Sequence, residues 1–319
     1  MDNIDVDVTG FGALNLDIIY HVDEIAKSDE ESYIKSRSIS CGGSAANTIV
    51  GLSNLGITTS YIGKIANDDE GEILEMNLME KGVYLNNLIY ADDGNSGKVM
   101  GFVDEQGNRG LYVDSGVNDE IDISQINIQE AVNSKIIHCT SFVGNSIRGQ
   151  IDLMDHLPKN TVLSFDPGRI YVKKGFSTIE KILNRTNILL INETEMNILL
   201  KPILDNKSMD FKYMAKYLHD EGVENVIVKR GEKGVYGVNG DYEIEVPANK
   251  VTVIDTTTAG DSFNAGFLYS YLNGYSFEKS SVIANWVASM SVTSIGTSGF
   301  PSLSQLKEFE SGVNKDGLS

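Results

Sequence analysis

Asp255-Thr256-Thr257-Thr258-Ala259-Gly260-Asp261-Ser262-Phe263 sets polar and tiny residues directly ahead of the apolar run 263–272. A helix starting there presents unpaired N–H groups and the positive end of its dipole, an arrangement suited to an anion. Asp261 then has two readings. It caps the helix, or it takes a proton from a hydroxyl nucleophile. The surrounding sequence has to decide between them.

Outward from this stretch, apolar strand candidates at 6–12, 58–66, 135–140, 161–166, 187–192 and 225–229 alternate with helical patterns at 44–55, 70–81, 146–157 and 211–221. Gly56, Gly82 and Gly222 stand as C-terminal caps of three of these helices. Such alternation predicts an α/β fold of three layers, helix, sheet and helix, around a mostly parallel central sheet. Segments 16–22 with 32–40, and 97–103 with 110–113, carry a period of two and predict antiparallel strands outside that sheet. They form a small projecting sheet on one domain spanning 1–319, with the lid strands in about 16–40 and 97–113. The Asp/Gly/Ser-rich tail after Ser311 is expected to fray.

The chain has 319 residues and a net charge of −19, from 26 Lys+Arg against 45 Asp+Glu. That balance argues against a nucleic acid or an anionic membrane as partner, since both require clustered positive charge. Phosphate recognition is accordingly expected from backbone N–H groups and a bridging cation rather than from a basic patch. Cys41 and Cys139 are far apart and form neither a zinc motif nor a disulfide framework, which suits the cytoplasm. The start of the chain lacks the pattern of a secretory signal, and the four histidines show no metal spacing.

No Gly-Lys is followed by Ser or Thr, so a P-loop is excluded. Gly10-Phe11-Gly12-Ala13-Leu14-Asn15 resembles the start of a dinucleotide fingerprint but lacks its third glycine and leads into a strand pattern. Asn15 and Asp17, two apart on a strand, point the same way and can grip vicinal hydroxyls, or else belong to a solvated turn. In Cys41-Gly42-Gly43-Ser44-Ala45-Ala46-Asn47-Thr48 the glycines allow close backbone approach or a hinge, and Asn47 offers an amide to a substrate hydroxyl. Asn192-Glu193-Thr194-Glu195 follows a strand; Asn192 and Glu195 suit a hydrated Mg²⁺ with phosphate oxygens, or equally a capping box. Lys229-Arg230-Gly231-Glu232-Lys233-Gly234 also follows a strand, with a hairpin turn as its plain reading. Asp166-Pro167-Gly168 is a strand-ending turn or a border of an acceptor pocket.

In this order, from about residue 6 to 301, these stretches resemble the ribokinase-like (PfkB) carbohydrate kinases, and lean toward the archaeal sugar and nucleoside kinases of that family. The Gly-Gly…Asn signature is similar to Gly42, Gly43 and Asn47, and Asp-Thr-x-x-Ala-Gly-Asp matches 255–261. The resemblance implies an ATP- and Mg²⁺-dependent kinase with Asp261 as base and the N–H groups of Thr258, Ala259 and Gly260 as anion hole. Asn15, Asp17, Gly42, Gly43 and Asn47 would hold the sugar or nucleoside acceptor. Asn192, Glu195, Lys229, Gly231, Gly234 and Asn285 would serve the nucleotide, with Glu195 acting on Mg²⁺ indirectly. Asp255, Thr257, Ser294 and Gly296 would flank a monovalent cation such as K⁺. A homodimer through the lid is implied as well, and Ile18, Tyr20 and Phe102 would stack a nucleobase if the acceptor is a nucleoside.

The sequence departs from the pattern at the monovalent-cation positions, which lack an identifiable charged partner, and in two further places. Thr258 stands where Gly or Ala is usual, and Thr140-Ser141-Phe142 where ribokinases proper carry a sugar-contacting Glu. A ligand-binding relative without turnover and a dinucleotide oxidoreductase are the competing classes; an intact Asp261 speaks against the first and the broken fingerprint against the second.

Overall fold

The computed structural model describes residues 5–204 and 210–315. The expectation for the extreme N-terminus, and the end of the expected fraying tail, lie outside them. Thirteen strands run in chain order: β1 (Val8–Phe11), β2 (Asn15–Val22), β3 (Ile34–Gly42), β4 (Thr59–Ala66), β5 (Leu88–Ala91), β6 (Gly97–Val103) and β7 (Arg109–Asp114). They continue as β8 (Ile136–Thr140), β9 (Val162–Asp166), β10 (Ile188–Asn192), β11 (Asn225–Lys229), β12 (Val235–Asn239) and β13 (Tyr242–Val246). The helices that matter to the site are α1 (Ser44–Asn54), α2 (Asp69–Glu80), α3 (Glu193–Leu200), α4 (Ala259–Leu272) and α5 (Phe277–Ser291).

Nine strands form the main sheet in the order β13-β12-β11-β10-β9-β8-β1-β4-β5. Every pairing from β11 to β5 is parallel; β12 and β13 close one edge antiparallel. The central strands are apolar along their whole length because both faces are covered: Val8, Ile136, Ile137, Leu163, Leu189 and Val226 expose 0%. One hydrophobic cluster gathers Phe11, Leu163, Leu189 and Met196 on one face. A second gathers Ile49, Ile188, Leu190 and Phe267 on the other. With all strands of the parallel set pointing the same way, the C-terminal ends of β1, β8, β9, β10 and β11 converge on one rim, where α/β sheets bind ligands.

The second sheet has the order β3-β2-β6-β7. The hairpins β2/β3 and β6/β7 are antiparallel as expected, but β2 and β6 run parallel. The expected all-antiparallel lid is thus corrected: β2 and β6 both leave the body toward the lid tip, and their seam is parallel for that reason. Asp104 accepts from the N–H groups of Gln106 and Asn108 at 3.0 and 2.8 Å and closes the β6/β7 turn.

The helix expected over 146–157 spans only Ile147–Leu153. Asp155 and His156 turn back to Asp152 and Leu153, tightening the last turn ahead of Pro158, which disfavours helical backbone in the residue before it. Gly10 continues into β1 and β2 rather than a helix, and a Cβ there would meet Ile49 Cγ1 at 2.5 Å. The glycines of 10–12 therefore serve strand–helix packing, not a pyrophosphate. Trp286 stacks on Phe309 at 4.5 Å.

Candidate active site

Helix α4 begins at Ala259, with Thr258 as its N-cap and Asp261 in the first turn. The N-cap makes no side-chain bond into the helix; Thr258 Oγ1 donates instead to the Gly296 carbonyl at 3.0 Å. The β-branched residue thus turns its hydroxyl away from the helix axis. Among the described residues, the N–H groups of Thr258, Gly260 and Asp261 have no protein acceptor, whereas Ala259 N–H is bonded to the Thr256 carbonyl at 3.2 Å. Of the three N–H groups expected to form the anion hole, those of Thr258 and Gly260 stand open, and Ala259 is engaged.

Asp261 does not cap its helix. Its carboxylate accepts from Ser44 Oγ at 2.6 Å and from Asn47 Nδ2 at 2.8 Å, both on the first turn of α1. Asn47, expected to meet a substrate hydroxyl, is thereby seen orienting the carboxylate. Burial pushes Asp261 up to about 7; the bonds from Ser44 and Asn47 and the charge of Lys229 pull the other way, and Asp166 adds to the rise.

Gly42 and Gly43 bring β2, β3 and α1 together. A Cβ on Gly42 would lie 2.3 Å from Asp17 Oδ2, and one on Gly43, at φ +114°, 2.1 Å from the Ala13 carbonyl. Close approach, the first of the two roles expected of them, is therefore what they provide. Asn15 Oδ1 accepts from Asn118 Nδ2 at 3.0 Å, and burial lifts the Asp17 carboxyl to about 6. Asn15 and Asp17 lie on one face of β2, with Val99 and Val113 in register with Asp17. Ile18, Tyr20 and Phe102 fall on the opposite face, where Tyr20 stacks on Phe102 at 5.3 Å and Phe102 meets Tyr112 edge-on at 6.0 Å. The expected nucleobase contact by these rings is overturned by the period of the strand: they pack between lid strands, turned away from Asn15 and Asp17.

A cavity of about 560 Å³ is lined by Arg169, Asn192, Glu193, Glu195, Lys229, Arg230, Gly231 and Lys233. The lining sets four cations among the carboxylates Glu193 and Glu195, and Arg230 pairs with Glu193 at 3.3 Å. Lys229, Arg230 and Lys233 come from the one stretch that follows β11, and the fold adds Arg169 from beyond the end of β9. Asn192 and Glu195 form a reciprocal capping box on α3: Glu195 N–H donates to Asn192 Oδ1 at 2.8 Å, and Asn192 N–H to Glu195 Oε2 at 3.0 Å. Burial, with Asp166 nearby, raises the Glu195 carboxyl. Among the described residues no group of three or more His, Cys, Asp or Glu could hold a metal ion. With four cations and the open backbone of Gly231, the lining suits the charge of a polyphosphate.

Lys229 Nζ donates to Asp166 Oδ2 at 2.7 Å and to Asn264 Oδ1 at 3.2 Å; Asn264 Nδ2 donates to the same Asp166 oxygen at 2.8 Å. Asp166 and Asn264 were not singled out as catalytic neighbours from sequence. Asp166 was legible as a strand-ending turn or a border of the acceptor pocket but not as the partner of Lys229, and Asn264 only as a residue one turn beyond Asp261. Ser44 was missed in the same way.

Other expected positions fall outside this cluster. Gly234, at φ +86°, leaves no room for a Cβ beside the Val246 carbonyl and serves the β11/β12 turn. Asn285 Nδ2 donates to the Pro247 carbonyl at 2.6 Å and does not line the cavity. Asp255 accepts from Thr257 N–H and Oγ1 at 2.9 and 2.5 Å and from Gly296 N–H at 3.0 Å, joining the loops at 255–258 and 294–297. Those bonds outweigh burial and hold its carboxyl below the usual range. Asp255, Thr257 and Gly296 are thus brought together, with Ser294 two residues upstream.

Residues 6–303 match the model of the pfkB family of carbohydrate kinases, and the chain belongs to that family. It is 40% identical over 251 residues to an uncharacterized sugar kinase of Archaeoglobus fulgidus, covering 77% of this chain and 96% of that one. Over 290 residues it is 28% identical to a nucleoside kinase of Methanocaldococcus jannaschii, with 91% of each chain covered. Its fold superposes on the solved ribokinase of Thermotoga maritima with a TM-score of 0.85 at 25% identity, covering 96% of this chain and 99% of the other. The protein is a sugar or nucleoside kinase of ribokinase fold. No helix among the described residues is long and apolar enough to cross a membrane.

Proposed function

We propose that this kinase transfers the γ-phosphoryl group of ATP, with Mg²⁺, to the primary hydroxyl of a sugar or another ribose-containing small molecule, with Asp261 as general base. The observation that carries this reading is the placement of Asp261. Its carboxylate is held by α1, whose preceding Gly42 packs on Asp17, rather than spent on capping α4; it stands beside open N–H groups, and it feels the charge of Lys229, which lines the cavity. An acceptor gripped from Asn15 and Asp17 presents its hydroxyl to Asp261, and the N–H groups of Thr258 and Gly260 meet the charge on the transferring group. The nucleotide's phosphates occupy the cavity, and Glu195 acts on Mg²⁺ through water.

Within this reading, the lid favours a free sugar or sugar phosphate over a nucleoside. On the Asn15 and Asp17 face it carries Ile19, Val99, Leu111 and Val113, with His21 toward the tip as its one ring and no Phe, Tyr or Trp, so a nucleobase would find little to stack on beside Asn15 and Asp17. The unpaired Cys41 and Cys139 suit work in the cytoplasm. A K⁺ ion near Asp255, Thr257, Ser294 and Gly296 would act on the adjacent anion hole, and assays in K⁺ against Na⁺ test for it.

The deciding experiment is phosphorylation across free pentoses, hexoses, sugar phosphates and nucleosides, with wild type and Asp261→Asn side by side. Turnover of nucleosides with none of any sugar would move the acceptor assignment. Asp261→Asn at wild-type rate on the best acceptor would remove the base.

A further inference from the structure

Lys229 ends β11 and exposes 14% of its side chain, and its partner Asp166 exposes 9%. An ammonium has three donors. Two are accounted for by Asp166 and Asn264, and the third has no acceptor among the described residues. Nζ lies 3.5 Å from where a Cβ on Gly260 would sit, so it stands over the first turn of α4, next to the open Gly260 N–H. It also lines the cavity that suits the phosphates. A purely structural ion pair requires no such position, and burying one is costly unless its remaining donors are used.

We propose that Lys229 is a catalytic residue whose ammonium contacts the transferring phosphoryl group, and that Asp166 and Asn264 are positioning residues that aim it across the mouth of the anion hole. The inference rests on the kinase reading above. In the step, the acceptor oxygen bonds to the γ-phosphorus, the bond from that phosphorus to the bridging oxygen breaks, and ADP leaves with the electron pair. The hydroxyl proton passes to Asp261. Equatorial negative charge is met by the Thr258 and Gly260 N–H groups from one side and by Lys229 from the other. Burial works against the ammonium, but the charges of Asp166 and Glu195 hold it protonated above its ordinary value. The cation is therefore present throughout the working pH range.

The arrangement separates catalysis from nucleotide binding. For Lys229→Met, kcat falls by roughly 10²–10³-fold while KM for ATP changes little, because the contact strengthens only as the phosphoryl group is transferred. Calorimetry gives a readout independent of turnover. MgADP binds the variant as it binds wild type, but the tightening produced by adding aluminium fluoride, which mimics the phosphoryl group in flight, is lost.

The acid limb of the pH profile gives a third readout. Asp261 faces Lys229 from β11, Asp166 from β9 and Tyr61 from β4, and His138 on β8 faces Asp166 and Lys229. Lys229→Met moves the limb up, since a cation that lowers Asp261 is gone; Asp166→Asn moves it down while also reducing kcat. Retained MgADP binding reports a folded variant; should Lys229→Met not fold, Asp166→Asn carries the test with the same readouts. A raised KM for ATP at unchanged kcat, or undiminished tightening by aluminium fluoride, overturns the proposal. Wild type with no turnover on any acceptor and no MgADP binding would overturn the kinase reading instead.

Discussion

A carboxylate in the first turn of a helix ordinarily gains from the dipole and from capping bonds. Asp261 has the dipole but not the cap, and burial wins, pushing it up to about 7. A base must be ionised to accept a proton, so activity is expected to rise with pH through about 7 and to be lost below it. Asp261→Asn should lower kcat by about 10²–10⁴-fold. The same residue links to stability. A carboxyl whose folded pKa lies above its unfolded value of 3.8 contributes stability that is full below that value and is lost as pH rises through the folded one. Asp261→Asn, which cannot ionise, should therefore melt higher than wild type at pH 8, with the difference vanishing toward pH 4. Equal melting temperatures at pH 8 would contradict the raised carboxyl.

Among the elements, the junction of β3 and α1 is the most constrained. Gly43 sits at φ +114° with the Ala13 carbonyl where a Cβ would go. Gly43→Ala should cost about 1–3 kcal/mol for the backbone conformation, with the clash adding to it. Because α1 supplies Ser44 and Asn47, the variant should lose activity more steeply than stability; an active variant with an unchanged denaturation midpoint would refute the close approach. The lid shows how an element can be legible while its use is not. Its strands were readable from their period of two. Which face meets the acceptor followed only from the register, which put Tyr20 and Phe102 behind Asn15 and Asp17. The parallel seam between β2 and β6 was equally hidden, since strand direction depends on where each segment leaves the body.

For the molecule as a whole, the lid sheet ends in two unpaired edges, β3 and β7, and carries exposed Ile34, Ile39, Leu111, Tyr112 and Val113. Exposed edges flanked by apolar residues favour pairing with a second copy, and sedimentation velocity is expected to report a dimer. Lys residues at Ile39 and Tyr112 together (Ile39→Lys, Tyr112→Lys) should return it to monomer; a wild type that is monomeric at micromolar concentration would remove the lid interface.

The repeated strand and helix pattern, the exposed N–H groups ahead of the 263–272 helix and the glycines at 42 and 43 were determined by the sequence itself, because periodicity, capping and backbone freedom act over a few residues. The grip of Ser44 and Asn47 on Asp261 and the triad of Asp166, Lys229 and Asn264 were decided by tertiary structure alone. Their members lie 217, 214, 63 and 35 residues apart and meet because parallel strands deliver their C-terminal ends to one rim. No local pattern encodes which distant ends those are, and so the neighbours of Asp261 emerged only from the packed sheet.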